Sequence, residues 1–373
     1  MRVLCDREAL LTAFGMVSGV VSTRSPKPIL QNIQFTATVG DRSVLIGTDL
    51  DVGIRYHVLG IKIEEPGAVI LPTAQISSIL RTSTDSELAI ENNGDRLTIR
   101  GLHSEFSLTV EDTSLFPEVP DFAAASYHVI EAADLKRLIR RTIFATDVES
   151  TRYALGGVLV ELTPESIAMV GTDGRRLARM SAAAAVENDP PQLGGSPVIP
   201  VKALKVIERN MADDDPPVHL AFQNGTAVLV RSEKAVIYSQ LVEGRFPRYQ
   251  DVFPANSEVK IPLEVGPLRV AVEQASIVTT EDSRGVDFQF CSGVLRLTSQ
   301  SAKVGNSLIE LPIAYEGKTV EITFDPRYLT DALKTLDDTT SITAELIDSN
   351  NAAVFKTNDR YAYVVMPLTR EQG

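Results

Sequence analysis

The chain has 373 residues, too many for one hydrophobic core, so several domains are expected. Apolar residues make up 44% and charged residues 23%, and no apolar run approaches the ~20 residues of a membrane span, so a globular protein without a membrane partner is expected. A net charge of −13 argues against a protein that grips DNA by general phosphate neutralisation, which leaves the placement of the positive charges as the question.

In chain order, the opening MRVLCDREALLTAF has no apolar core of signal length, and a cytoplasmic location is expected. A helix pattern then runs from Glu8 as EALLTAFGMVSGVV, with apolar residues at helical spacing. Strand-like residues lead to a turn at Gly47-Thr48-Asp49. Pro72 opens a second helix within ILPTAQISSIL, Pro being at home in a helix's first turn. The alternating strands RLTIRG and EFSLTV follow, and Phe116-Pro117 closes the segment.

The same order then returns. A helix DLKRLIRRTIFA from Asp134, a turn at Gly171-Thr172-Asp173, a second helix at Pro200 in VIPVKALKVIERN and a close at Phe246-Pro247 form the second unit. The third has the helix GPLRVAVEQASIV from Gly266, a weaker turn at Thr298-Ser299-Gln300, a helix at Pro326 in ITFDPRYLTDALKTL and a close at Met366-Pro367. Anchors that recur at roughly 125-residue intervals mark an internal repeat. Each unit reads as two helices set among six to eight short strands, an α+β fold with helices packed on one face of antiparallel sheets. Three tandem copies are expected over residues 1–123, 124–255 and 256–373, joined at the turn-rich PDFAAAS and PANSEVK.

Projected as a helix, the segment from Asp134 places Leu135, Leu138, Ile139 and Ile143 on one side and Lys136, Arg137, Arg140 and Arg141 on the other. The helix after Pro200 aligns Lys202, Lys205 and Arg209 opposite Leu204, Ile207 and Met211. Weaker counterparts are Arg269, Arg327 and Lys334 in the third unit, and Arg7, Arg24, Lys27 and Arg81 in the first. Taken singly, such faces are ordinary solvated surface. Together they put basic residues on helices while acidic runs such as Asp213-Asp214-Asp215 fall in loops, a pattern suited to holding double-stranded DNA without reading its sequence.

Chemistry-bearing motifs are missing. The Gly171-Thr172-Asp173-Gly174 turn lacks phosphate-loop spacing, no GxGxxG opens a helix, and neither a nucleophile elbow nor an HExxH stands out. Cys5 and Cys291 lie far apart, as free thiols, and His57, His103, His128 and His219 are scattered singly. No catalytic residue, metal or cofactor is expected. The competing readings are a nucleic-acid-processing enzyme and a linear, monomeric scaffold.

The segments PILQNI at Pro28, GTDL at Gly47, TRYALGGVLVEL at Thr151, GTDGRRLARM at Gly171, EGRFPRYQDVFP at Glu243 and YVVMPL at Tyr363 resemble the β subunit of bacterial DNA polymerase III, the β sliding clamp family, over the whole chain. The resemblance implies a head-to-tail homodimer forming a six-domain ring around duplex DNA, with Arg24, Lys136, Arg137, Arg140, Arg141, Lys202, Lys205, Arg209, Arg327 and Lys334 facing the DNA. It also implies a pocket for short apolar clamp-binding motifs of the polymerase's catalytic subunit, the clamp loader and other replication and repair proteins. That pocket comprises Arg152, Leu155, Thr172, Gly174, Arg175, Arg176, Leu177, Pro247, Val252, Val364, Met366, Pro367 and Leu368, with Arg152 and Arg176 meeting polar or acidic atoms of the peptide. Three units span half of such a ring, so the dimer interface is expected to join the edge strand at Phe106 and Leu108 to the third-unit helix at Ile277 and Val278. The sequence departs from the family pattern at Arg175, where His is common, at Ala154, where Tyr is common, and in the tail 369–373.

Overall fold

The computed structural model describes residues 1–373 apart from 23, 41–42, 151–153, 189–194, 255–256, 258 and 369–373. Its six α-helices among the described residues are α1 (Arg7–Ser18), α2 (Thr73–Thr82), α3 (Ala132–Arg140), α4 (Val201–Arg209), α5 (Val265–Ala275) and α6 (Pro326–Leu333). The three repeats carry nine, nine and eight strands among the described residues, more than the six to eight expected, because several strands of three to five residues are too short to show a period. The chain forms two compact units, Met1–Lys136 with Ala184–Leu241, and Arg137–Ala183 with Val242–Gly373.

The helices start where the sequence provides caps. At α1 the Asp6 carboxylate accepts from the Ala9 N–H at 2.8 Å, and Leu10, Ala13, Phe14 and Val17 form the buried stripe. At α6 Asp325 accepts from the Arg327 N–H and Pro326 takes the first helical position. Pro72 and Pro200 instead sit one residue earlier, at the N-cap of α2 and α4. The first helix of the second repeat is shorter than its pattern suggests: α3 stops at Arg140, the Thr142 hydroxyl turns back to Leu138 O, and a separate 3-10 turn covers Ile143–Ala145. In the third repeat α5 likewise gives way to a 3-10 turn at Ser276–Val278, so Ile277 and Val278 lie beyond the helix.

In the first unit an antiparallel sheet runs in the order Ile61–Glu65, Arg2–Asp6, Glu87–Asn93, Arg96–Arg100, Glu105–Thr109. A second has nine strands in the order Ala185–Glu187, Tyr127–Ile130, Val218–Gln223, Ala227–Arg231, Ala235–Gln240, Val52–Val58, Ser43–Thr48, Asn32–Ala37, Gly67–Pro72. It crosses from the second repeat into the first where Ala235 stands opposite Tyr56 and Ser239 opposite Val52. Alternation sets the inward face, as in Asn32–Ala37, where Ile33, Phe35 and Ala37 are buried.

The second unit repeats this construction. Strands Gly157–Thr163, Ser166–Thr172, Arg176–Ala183, Tyr361–Val365, Ala353–Lys356, Ser341–Leu346 and Val259–Glu264 are neighbours in that order, with Arg176 opposite Val365 and Met180 opposite Tyr361. A four-stranded sheet orders Gly305–Pro312, Val294–Ser301, Val286–Cys291, Val320–Phe324. The turn expected at Thr298-Ser299-Gln300 is absent: these residues pair with Leu308, Ser307 and Asn306, and the reversal comes after Ser301. Cys5 is buried, which pushes its thiol up to about 12, while Cys291 is half-buried, and both are free.

Candidate functional site

In the second unit, the junction of Arg176–Ala183 with Tyr361–Val365 carries a cavity of about 230 Å³ lined by Thr172, Gly174, Arg175, Arg176, Leu177, Pro247, Arg248, Tyr249, Val252, Val364 and Met366. Its wall is built by a turn and a rigid segment. The Thr172 hydroxyl donates to Arg176 O at 2.7 Å, Asp173 Oδ1 accepts from the Arg175 and Arg176 amides, and Gly174 takes φ +85 between them. The Met366 N–H reaches Arg175 O at 2.9 Å and holds the opposite wall to this turn. Leu177 and Val364 form a buried floor, while Val252 and Met366 are 39% and 41% exposed, two apolar side chains open to solvent at a concave surface.

Nine of the thirteen expected pocket residues thus meet around one cavity. Leu155 is buried, Pro367 and Leu368 are half-buried, and none of the three lines it; the Leu368 amide instead donates to Thr323 O. Arg152 lies outside the described residues. Arg176 is not available for a ligand's acidic atoms. It donates to Asp173 at 2.9 Å, Asp331 at 2.7 Å and Phe144 O at 2.9 Å and lies over the Tyr328 ring. Burial opposes its charge, yet the bond to Asp331 and the charge of Asp173 hold the guanidinium above its ordinary pKa.

Arg248 and Tyr249 are wall residues that the sequence did not mark. The Tyr249 hydroxyl donates to Glu161 Oε1 at 2.6 Å and accepts from Arg179 Nε, which pins the 3-10 turn Tyr249–Val252 against the sheet. Burial and the neighbouring Glu161 carboxylate raise its pKa.

The matching junction in the first unit carries different side chains. The Gln240 N–H bonds Asp51 O as the Met366 N–H bonds Arg175 O, so Gln240 holds the place of Met366 and Tyr238 that of Val364. Tyr238 packs against the buried cluster of Val44, Ile46, Ile70, Phe116 and Val119, and Gln240 Nε2 donates to Leu50 O. Tyr238 is larger than Val364 at the same repeat position, while Gln240 stands exposed where Met366 does.

The basic helices are described unit by unit. In the first unit Lys202, Lys205 and Arg209 stand exposed on α4 and border a cleft of about 170 Å³ with Met16, Gly19, Val206 and Asn210. Lys202 is paired with Asp49, and Lys136 with Asp213 at 2.6 Å. Arg24 is exposed in a turn after α1, off any helix. In the second unit Arg137 and Arg140 are exposed at the end of α3, but Arg141 is not part of that face. It is 6% exposed, donates to Asp359 at 2.6 Å and lies over the Tyr361 ring. Arg327 is exposed with its guanidinium bound to Asp325, and Lys334 lies 4.0 Å from Glu273. In the first repeat Phe106, on Glu105–Thr109, is 37% exposed and Leu108 half-buried, while in the third Ile277 is 74% exposed beside the half-buried Val278.

Among the described residues no cluster of three or more His, Cys, Asp and Glu side chains could hold a metal, and no helix is long and apolar enough to cross a membrane.

Comparison with known proteins gives one result along the whole chain. Residues 1–120, 129–248 and 250–369 match the families described as the N-terminal, central and C-terminal domains of the DNA polymerase III beta subunit. The beta sliding clamp of Chlamydia muridarum is 30% identical over 369 residues, covering 99% of both chains. That of Pseudomonas aeruginosa is 30% identical over 371 residues, covering 99% of this chain and all of the other. The crystal structure of the DNA polymerase III subunit beta from Pseudomonas aeruginosa superposes with a TM-score of 0.90 at 28% identity, covering 99% of this chain and 100% of that one. Three tandem domains of one α+β design, matched in order and over nearly the full length, place this chain in the DNA polymerase III beta subunit family, the beta sliding clamps.

Proposed function

We propose that the protein is a DNA sliding clamp, a processivity factor that encircles duplex DNA without sequence preference and tethers DNA polymerase III to it. Family membership over the whole chain carries the function. Within it the protein is non-catalytic and cytoplasmic, its domains are 1–123, 124–255 and 256–373, and two copies join head to tail into a six-domain ring. The polymerase's catalytic subunit, the clamp loader and other clamp-motif proteins dock at the apolar cavity of the second unit. Lys202, Lys205, Arg209, Arg137 and Arg140 face the DNA and attract its phosphates at long range.

The observation that supports dimerisation is a match between an internal junction and the bare chain ends. In the second unit Phe144, the middle residue of its 3-10 turn, meets Tyr363 with ring centroids 5.6 Å apart. Ile277 is the middle residue of the equivalent turn, and Thr279 caps it through Ser276 O as Thr146 caps the other through Ile143 O. Counting from the hairpin closures, Thr357 N–H to Tyr361 O and Gly101 N–H to Ser104 O, the equivalent of Tyr363 is Phe106. A second copy laid along Glu105–Thr109 by its own Gly305–Pro312 strand thus brings its Ile277 onto Phe106, with Val278 and Leu108 beside them. Such a heterologous contact closes into a ring when its rotation allows.

A ring holds DNA by topology, so charge and retention separate. Binding to short linear duplex is expected to be weak and to fall steeply with salt, because a few Lys and Arg displace counterions. Loaded onto a nicked circle, the protein remains through moderate salt until one restriction cut releases it. Equal loss from cut and uncut DNA would show ordinary electrostatic binding and end this reading.

A further inference from the structure

The geometry points to a docking cavity in the second unit that selects partner segments carrying an acidic group beside their apolar anchors, with Arg175 and Arg248 as the selecting residues. The inference rests on the reading of that cavity as the peptide site. Among the described residues three arginines line the cavity and no Asp or Glu does. They are not equivalent. Arg176 is half-enclosed and already neutralised by Asp173 and Asp331. Arg175 and Arg248 are exposed, and neither has a carboxylate within 4.0 Å among the described residues. Among the described residues the one side-chain hydrogen bond of the Arg175 guanidinium is long, 3.4 Å to the Tyr328 hydroxyl.

In a protein of net charge −13 many arginines are tied to carboxylates, as Arg2, Arg55, Arg100, Arg141, Arg269, Arg296 and Arg327 are. Among the described residues Arg248 has no ion pair, and Arg175 feels Asp173 and Asp325 only from beyond salt-bridge distance, so both can offer their charge to a carboxylate from outside. Both guanidiniums belong to the cavity wall, beside Val252 and Met366. An apolar side chain that enters between Val252, Leu177, Val364 and Met366 displaces water from the rim. A carboxylate next to it on the same segment then meets Arg175 or Arg248 in partly desolvated surroundings, where a charge-assisted hydrogen bond is stronger than on open surface. The preferred occupant is therefore an acidic peptide with two or three large apolar residues. A neutral apolar peptide fills the same cavity with less affinity.

The test uses the full-length protein and fluorescein-labelled heptapeptides, capped at both ends, that carry three large apolar residues with a single Glu, or its isostere Gln, on either flank. In low salt the better Glu peptide is expected to bind roughly three- to tenfold more tightly than its Gln twin, and this gap should close as salt rises. Arg175→Gln and Arg248→Gln should each shrink the ratio between the twins, and Arg248→Glu should reverse it, a readout that loss of packing alone does not move. Equal affinity of both twins at low salt, on both flanks, overturns the selection while leaving the peptide site intact. Failure of every peptide to bind overturns the site reading and the selection with it.

Discussion

The strand junctions inside the chain and the strand edges near its ends are made of equivalent residues, yet their burial differs. Ile237 and Tyr363, which lie at the two internal junctions, are 2% and 1% exposed, whereas Phe106 at the same repeat position is 37% exposed, and Ile277 is 74% exposed where its counterpart Phe144 is half-buried. One repeat design thus gives core where a neighbour follows in the same chain and apolar surface where none does. An antiparallel edge with exposed apolar side chains invites uncontrolled pairing unless a partner covers it. In the proposed dimer the two edges supply the two halves of a contact that the chain already makes once in each unit.

The sharpest way to test that distinction is to remove equivalent side chains from the two settings. Tyr363 is buried, touches Phe144 and donates to Tyr328 O at 2.7 Å, so Tyr363→Ala opens a cavity and leaves a carbonyl without its partner. The expected cost is about 3–5 kcal/mol of folding stability, read as a lower urea midpoint on dilute protein. Phe106→Ala, at the equivalent position, should leave that midpoint nearly unchanged. Equal losses in the two variants would mean that Phe106 is core in its own subunit and that the ends are not bare.

Next in size is the contact between copies. A carboxylate at Ile277 or Phe106 would be buried without a partner, so Ile277→Asp and Phe106→Asp should each weaken the dimer by about 2–4 kcal/mol, roughly 30- to 700-fold in Kd. Sedimentation at micromolar concentration should then find a single subunit of 40.5 kDa. A dimer that survives both substitutions would separate the ends from the junctions they resemble.

Much of this was legible in the sequence because repeats and helical periodicity are local properties. The six helices and the order of the three units follow from apolar spacing, Asp and Pro at helix starts, and the recurring turns. What the sequence hid depends on distant partners. Arg141 lies on the basic side of a helical projection, but Asp359, 218 residues away, draws it into the interior. Lys202 aligns with Lys205 and Arg209, yet Asp49 holds it from a different repeat. In the candidate site the Gly174 turn and Met366 were readable, whereas Tyr249 is a wall residue only because Glu161 and Arg179 anchor its hydroxyl. Thr298–Gln300 misled for a different reason. The third repeat reverses later, at residues 302–304, so a polar run at the expected interval is strand and not turn.

The smallest effect tests the register between copies. At the two internal junctions an arginine of one strand faces a small apolar residue of the next, Arg55 opposite Val236 and Arg179 opposite Ala362. Transferred to the bare edges, that register puts Leu308 at the arginine's position and Glu105 across from it. Both face away from the helices, since Ser307, the neighbour of Leu308, bonds Ala275 O on the helix side and Phe106, the neighbour of Glu105, lies over Ile99. Leu308→Arg should therefore restore the internal pattern and add an opposite-charge pair between copies, worth roughly 0.2–1 kcal/mol for directly opposed residues. The gain lies toward the lower end because Arg100 already holds Glu105 at 2.8 Å, and all three groups are solvent-exposed. In a double-mutant cycle Glu105→Gln should cancel the gain, while the same change should matter little beside the native Leu308. If Leu308→Arg tightens the dimer equally with Glu or Gln at position 105, the arginine is meeting another group and the copies do not share the internal register.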